Sequence, residues 1–316
     1  MTYLDCELYP LSSTLRRLLR NRLTRHWYHR PAMVLPDLAR QAVLAASGAN
    51  PIQVADVVKR HTLAEHVERA NAYFVREHEE ASLFRRPFQN GLDTQVRLAG
   101  VSSLLQHLAL NDGARVLDFG CGTGWLSRCL AYMGADVVGV DVSENVLRLA
   151  RKWLARDPLA DELRVLFQQS DGIRLPVADS SVDRITSFDA FHHVPDQEAT
   201  LAEMARVLRP GGIAAFHEPG PEHSRTPDAQ WEMRTYDVIE NDIDIHRVWR
   251  AAQACGFANI RISLPVLHAP VVDLAQFDRV AAGRPSRGDL RTVMQNTVNF
   301  SYNLRVFSLH KAGGPA

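Results

Sequence analysis

The chain lacks a surplus of either charge: its 316 residues hold 36 basic and 36 acidic side chains. Nucleic-acid binding draws on an excess of basic groups that neutralise phosphates, so no nucleic-acid partner is expected. Lysine is scarce, confined to Lys59, Lys152 and Lys311, and this reads as a coding bias toward arginine. Long apolar runs are also missing. No stretch approaches the roughly 18 residues that cross a bilayer, so no integral membrane segment is expected. The opening Met1 to Glu7 carries Asp5 and Glu7 and no apolar core, unlike a secretory leader. Cys6, Cys121, Cys129 and Cys255 form no Cys-x-x-Cys pair and no zinc-type spacing. The expectation is a soluble, reduced, cytoplasmic protein. A composition of 46% hydrophobic and 23% charged residues excludes disordered and fibrous classes, and the length suits a large α/β domain with an appendage.

Residues 1–95 contain no alternating runs and read as a helical N-terminal region. Asn50-Pro51 looks like a helix cap followed by a first-turn proline. Thr62 and Glu65 form a capping box ahead of the helically spaced Leu63, Val67, Ala70 and Phe74. Arg16, Arg17, Arg20, Arg22, Arg25 and Arg30 run without an intervening acid. A membrane-surface or anion-binding helix would look this way, and a solvated helix face is the simpler reading.

From residue 96 onward strands and helices alternate. The strands expected are Ala114 to Gly120, Asp136 to Asp141, Leu163 to Gln168, Val182 to Phe188, Ile213 to His217, Asn259 to Leu264 and Leu304 to His310. Short links between them predict a parallel, doubly wound sheet. Two segments, about 219–241 and 265–303, fit no core position and would cover a substrate.

The chemistry concentrates in Leu117 to Trp125. A strand enters a turn at Gly120, Cys121, Gly122 and Gly124, and a helix N-terminus follows. The spacing Gly-x-Gly-x-Gly differs from the dinucleotide fingerprint Gly-x-Gly-x-x-Gly. Asp118, two residues ahead, would sit badly against a pyrophosphate and well near an ammonium group. Asp141 ends the second strand, where a carboxylate accepts from ribose hydroxyls. Asp171, in Ser170-Asp171-Gly172 after the third strand, could accept from an adenine amine. Together these describe a nucleoside with an amino-acid tail, S-adenosylmethionine (SAM).

The segment 114–217 resembles the core of the class I SAM-dependent methyltransferases, in particular the small-molecule group that includes the ubiquinone and menaquinone enzymes. The motifs that carry the resemblance are Asp118 to Gly124, Gly139 to Ser143 with Val142, and Ser170 to Gly172 with Leu175-Pro176. Phe188 to Asp196 with Asp189, and Leu208 to Gly212, complete the set. The resemblance implies a Rossmann-like sheet of order 3-2-1-4-5-7-6 with the last strand antiparallel. It also implies SAM as cofactor, held by the glycine loop with Asp118, Cys121, Asp141, Val142, Asp171, Gly172 and Asp189.

Methyl transfer to an alcohol needs a base; transfer to a carboxylate or thiolate does not. His192 and His193 follow the fourth strand and Glu218 follows the fifth, so these are the candidate bases. Glu240-Asn-Asp-Ile-Asp244 could hold a divalent metal, but acids at the positive end of a helix dipole are the simpler reading, and no metal is expected. Trp125 either flanks the cofactor or packs in the core. The acceptor expected is a small molecule or saccharide, methylated on oxygen; the sequence does not define an oligomeric state. A non-catalytic SAM-fold subunit conflicts with intact Asp118, Asp141 and Asp171. An NAD-dependent oxidoreductase conflicts with the glycine spacing. Amino-group methylation of RNA or protein conflicts with Phe188 to Phe191, where an Asn-Pro-Pro-Tyr or Asp-Pro-Pro-Tyr motif would stand.

Overall fold

The computed structural model describes residues 50–76, 83–89, 91–264, 272–290 and 304–313. The arginine-rich start and most of the 265–303 segment lie outside the described residues. Seven strands form one sheet: β1 (Arg115–Phe119), β2 (Asp136–Asp141), β3 (Val165–Gln169), β4 (Val182–Phe188), β5 (Leu208–Pro219), β6 (Phe257–Ser263) and β7 (Leu304–Lys311). Their order is β3-β2-β1-β4-β5-β7-β6. β7 pairs antiparallel with both β5 and β6, and the other pairings are parallel. This is the order that the resemblance to the methyltransferase core implied.

Both faces of the sheet are covered, and the two-residue period of the strands decides which side chain goes where. Leu117, Val138, Ala214 and Phe216 join one buried cluster with Phe307, and Val116, Val137 and Ala215 join the other. The first cluster packs under α6 (Gln197–Val207) through Leu201 and Met204, and under α8 (Ile245–Ala254) through Val248 and Ala252. The second packs under α3 (Gly91–Leu108) through Leu104 and Leu108, and under α4 (Trp125–Tyr132) through Leu126 and Leu130. Leu117, Leu104 and Leu130 are fully buried, so truncating any of them to alanine costs about 2–5 kcal/mol.

Helix starts follow side-chain chemistry. Ser143 accepts from Val146 N–H to open α5 (Glu144–Leu154). Asp196 accepts from Glu198 and Ala199 N–H to open α6, and Asp244 accepts from His246 and Arg247 N–H to open α8. Each satisfies a backbone donor that the helix itself cannot. The Thr62–Glu65 capping box forms as expected: Thr62 N–H donates to Glu65 Oε2 at 2.7 Å, and Glu65 N–H to Thr62 Oγ1 at 3.4 Å.

Two local expectations change. Asn50-Pro51 does not open a helix. α1 (Val54–Arg60) starts after Gln53, because the 50–52 backbone is tied elsewhere: Ile52 exchanges bonds of 2.8 and 2.9 Å with the Gln230 amide, and Asn50 O accepts from Arg234. Arg209 to Gly212 does not precede β5 but bulges within it. Val182 pairs with Leu208 and Arg184 with Ile213, so the extra residues loop out, helped by Gly211 at φ +75°.

The N-terminal helices α1 and α2 (Leu63–Arg76) meet the segment after β5. That segment carries α7 (Pro227–Tyr236), with Thr226 as its cap. Val57 buries against Met233 and Ile239, and Arg60 and His61 both reach Asp237. The third helix spans the 95/96 boundary expected from the sequence and packs on β5 and β7.

Candidate active site

The C-terminal ends of β1, β2, β3, β4 and β5 converge on one edge of the parallel sheet, where such folds bind ligands. Gly120, Gly122 and Gly124 all have positive φ, between +54° and +68°. They differ in what surrounds them. A Cβ on Gly120 would lie 2.3 Å from Ala190 Cβ, and one on Gly124 would lie 2.3 Å from the Phe167 ring, whereas one on Gly122 meets nothing within 4 Å. The outer two glycines serve packing, and the middle one has open space where a Cβ would stand.

Asp141 pins this loop. Its Oδ2 accepts from Gly122 N–H and its Oδ1 from Ser143 N–H, both at 2.9 Å. Burial pushes its pKa up, and these two bonds oppose the shift. Asp118 is 2% exposed and accepts from Ser127 Oγ at 2.5 Å. Burial raises its pKa to about 7; Asp141, of like sign, adds to the rise and the Ser127 bonds oppose it. Both acids fit SAM: a buried carboxylate lacking a cation suits an ammonium, and each Asp141 oxygen keeps a lone pair for a hydroxyl. Ser127 was not anticipated; it lies on the first turn of the following helix, facing back to the strand.

Asp171 is exposed, and its Oδ1 accepts from Ile173 and Arg174 N–H at 2.9 and 2.7 Å. These bonds hold its pKa below the usual range and fix the turn. Gly172, at φ +87°, faces Leu63 and Val67 of α2 and Val142 of the ribose motif. The N-terminal helix therefore reaches the expected adenine region, which nothing in its own pattern indicated. Val142 O also accepts from Gln169 Nε2 at 3.0 Å. The Cys121 thiol is buried, and that burial raises its pKa well above the ordinary thiol range, so the residue contributes backbone rather than a nucleophile.

Asp189 follows β4 in a left-handed conformation, φ +53°. Burial would raise its pKa, but His217 Nδ1 at 3.3 Å and Arg97 at 3.8 Å hold it well below the carboxylate range. His217 stacks on Phe188 with ring centroids 3.9 Å apart, and Trp125 meets Phe188 edge-on at 5.4 Å. Trp125 is 8% exposed and belongs to the core cluster under α3. Neither Arg97 nor His217 stood out in the sequence.

The three candidate bases divide by environment. Glu218 is fully buried. Its Oε1 accepts from Ser187 Oγ (2.7 Å) and from Ala190 and Phe191 N–H (3.2 and 2.9 Å); its Oε2 accepts from His192 N–H (3.3 Å) and faces His192 Nδ1 (2.7 Å). Burial raises its pKa against these donors. It fixes the turn after β4 and orients His192. The His192 side chain is 6% exposed and that of His193 is 45% exposed. His193 Nδ1 lies 2.7 Å from Ile239 O. Desolvation lowers the His193 pKa, but the Glu240 carboxylate and the Ile239 carbonyl outweigh it, and the net shift is upward.

The acidic run 240–244 caps its helix through Asp244 alone. Asp242 instead accepts from Ser224 N–H (2.7 Å) and Ser224 Oγ (3.1 Å). Glu240 is 2% exposed and turns inward among His192, His193 and His223. Helix capping does not account for it, since it lies well before the first helical turn.

Sheet order, glycine loop and paired acids define a Rossmann-like domain of the class I SAM-dependent type. Residues 117–216 match the methyltransferase domain family, and this part of the chain is a methyltransferase domain of the SAM-dependent type. Among curated relatives, the methyltransferase GfsG of Streptomyces halstedii is 44% identical over 117 residues, 36% of this chain and 40% of that protein. The demethylmenaquinone methyltransferase of Parafrankia sp. is 37% identical over 164 residues, 47% of this chain and 63% of that protein. The matches thus span about half the length of these relatives. Phosphoethanolamine N-methyltransferase 2 of Haemonchus contortus, solved with SAM, shares the fold. Its TM-score is 0.53 at 17% identity, covering 78% of this chain and 60% of that one. No helix among the described residues is long and apolar enough to cross a membrane.

Proposed function

We propose that the protein transfers the methyl group of SAM to a hydroxyl oxygen of a small molecule or saccharide, with His193 as the base. The observation that carries this reading is the hydrogen bonding of His193. Ile239 O can only accept, so in the neutral ring the proton sits on Nδ1 and the Nε2 lone pair is available. His193 is also the exposed member of the histidine pair and lies close enough to Asp141 to act on its charge. His192 is occupied by Glu218 and buried. In this reading Glu218 is a positioning residue.

The bound cofactor supplies an electrophilic methyl group on a sulfonium whose thioether leaves uncharged. The chain's own part is to hold, align and take a proton. Asp118 receives the ammonium, Asp141 the ribose hydroxyls, and the Asp171 turn, backed by Leu63, Val67 and Val142, receives the adenine. With an acceptor hydroxyl held in line with that methyl group, His193 Nε2 would take the hydroxyl proton and pass it to solvent. Most of the rate gain comes from alignment, and the base contributes about 10²–10⁴-fold. Helices α1 and α2, with the segment after β5, form the cover that selects the acceptor. The bonds between Ile52 and Gln230 and between Arg60 and Asp237 tie these parts into one wall.

The test is release of S-adenosylhomocysteine with a panel of phenolic, hydroxylated and saccharide acceptors. Both His193→Ala and His193→Gln should lose about 10²–10⁴-fold in kcat and bind S-adenosylhomocysteine as the parent does. Unchanged turnover in both variants removes the base, and failure of the parent to bind the cofactor removes the enzyme.

A further inference from the structure

The geometry points to a binding site for a divalent transition-metal ion formed by His192, His223 and Glu240. One ligand atom from each lies within 4.8 Å of the others. His223 Nε2 is 2.7 Å and His192 Nε2 is 3.7 Å from Glu240 Oε2. Ligands about 2 Å from a shared ion sit roughly 3 Å apart, so these two separations bracket the spacing a bound ion requires.

The surrounding bonds prepare the site. Glu218, 2.7 Å from His192 Nδ1, accepts a hydrogen bond from that N–H and directs Nε2 toward Glu240. A carboxylate behind a ligating imidazole is the arrangement that fixes tautomer and ring orientation in metal sites. The ligands come from three segments: the turn Phe191–His193 after β4, the turn His223–Arg225 after β5, and the strand-free run leading to α8. Those segments are cross-tied at the neighbours of the ligands. Asn241 N–H donates to His192 O at 2.9 Å and Asn241 Nδ2 to Val194 O at 2.7 Å, while Asp242 binds Ser224. His192 is thus held through Nδ1 and its carbonyl, and the segments carrying His223 and Glu240 are held through Ser224 and Asn241.

Two imidazoles and one carboxylate suit zinc, cobalt, nickel or iron rather than magnesium or calcium, which prefer oxygen-rich sets. Three protein ligands leave coordination positions for water or an acceptor oxygen. Glu240 Oε1 lies 3.4 Å from His193 Nδ1, so the ion and the base share one wall. An acceptor hydroxyl on the ion would give up its proton more readily. This last role, unlike the site itself, rests on the methyl-transfer reading.

The experiment is titration of chelator-treated full-length protein with cobalt(II), followed by its visible absorption and by competition with zinc(II). One equivalent should bind and develop a d–d band. His223→Ala and Glu240→Gln should each weaken binding by more than the 10–100-fold typical of losing an outer-shell partner. Both variants should still bind S-adenosylhomocysteine, which reports an intact fold. Absence of stoichiometric cobalt binding in the parent, or binding in both variants as tight as the parent's, overturns the site and leaves the cluster as a His–Glu ion-pair network. A parent that takes cobalt but no S-adenosylhomocysteine keeps the site and fails the cofactor reading; the reverse result does the opposite.

Discussion

Replacing Asp118 by asparagine should stabilise the ligand-free protein and weaken its hold on SAM. The carboxyl is 2% exposed, and burial lifts its pKa from an ordinary 3.8 to about 7. Between those values the folded chain keeps a proton that the unfolded chain has released. Stability therefore falls as pH rises through that window, and above about 7 the loss is complete. The shift corresponds to at most about 4 kcal/mol, and solvent penetration and relaxation bring the realistic figure nearer to about 2 kcal/mol. Asparagine matches the protonated acid in shape and can accept from Ser127 Oγ, but it never ionises. At pH 8 the variant should melt higher by roughly 2–4 °C for each kcal/mol recovered, and near pH 4 the difference should vanish. SAM binding should move the other way. Loss of a charge-assisted bond of about 1.5–3 kcal/mol weakens affinity by roughly 10–100-fold. Calorimetry of the parent near pH 6, in buffers of different ionisation enthalpy, should show release of close to one proton on binding. A variant no more stable than the parent at pH 8, or equal in SAM affinity, refutes the assignment of Asp118 to the ammonium.

The glycine loop gives a graded series. Gly120→Ala and Gly124→Ala each drive a Cβ to 2.3 Å from a packed neighbour at positive φ, so both should lower the melting temperature sharply. Gly122→Ala meets nothing and should lose only about 1–2 kcal/mol of stability through its left-handed backbone, yet abolish SAM binding by filling the cradle. Equal melting temperatures across the three would contradict this. Glu218→Ala strips acceptors from Ser187, Ala190, Phe191 and His192 and should cost about 3–5 kcal/mol in urea unfolding. A stable but slow variant would instead make Glu218 a group that acts in the reaction.

What the sequence disclosed follows from how local each signal is. The strands around Asp118 and Asp141 were legible because buried parallel strands read as unbroken apolar runs, and the loop because three positive-φ positions demand glycine. Asp244 could be read at the start of its helix because a cap needs only its own next turn. Asn50-Pro51 carried the same kind of signal and misled, since Gln230, far along the chain, claims the neighbouring backbone. Glu240 shows the same limit in reverse. In sequence it is one acid in a run of three ahead of a helix; in space its neighbours come from the ends of two strands. The pair His192–His193 looked like two equivalent bases, and the difference between them lies in Glu218 behind one and Ile239 beside the other. Residue type and spacing locate the glycine loop because the loop is contiguous. The groups proposed to move a proton or hold an ion are assembled by topology, and the reading of each follows from partners that the chain brings together only when folded.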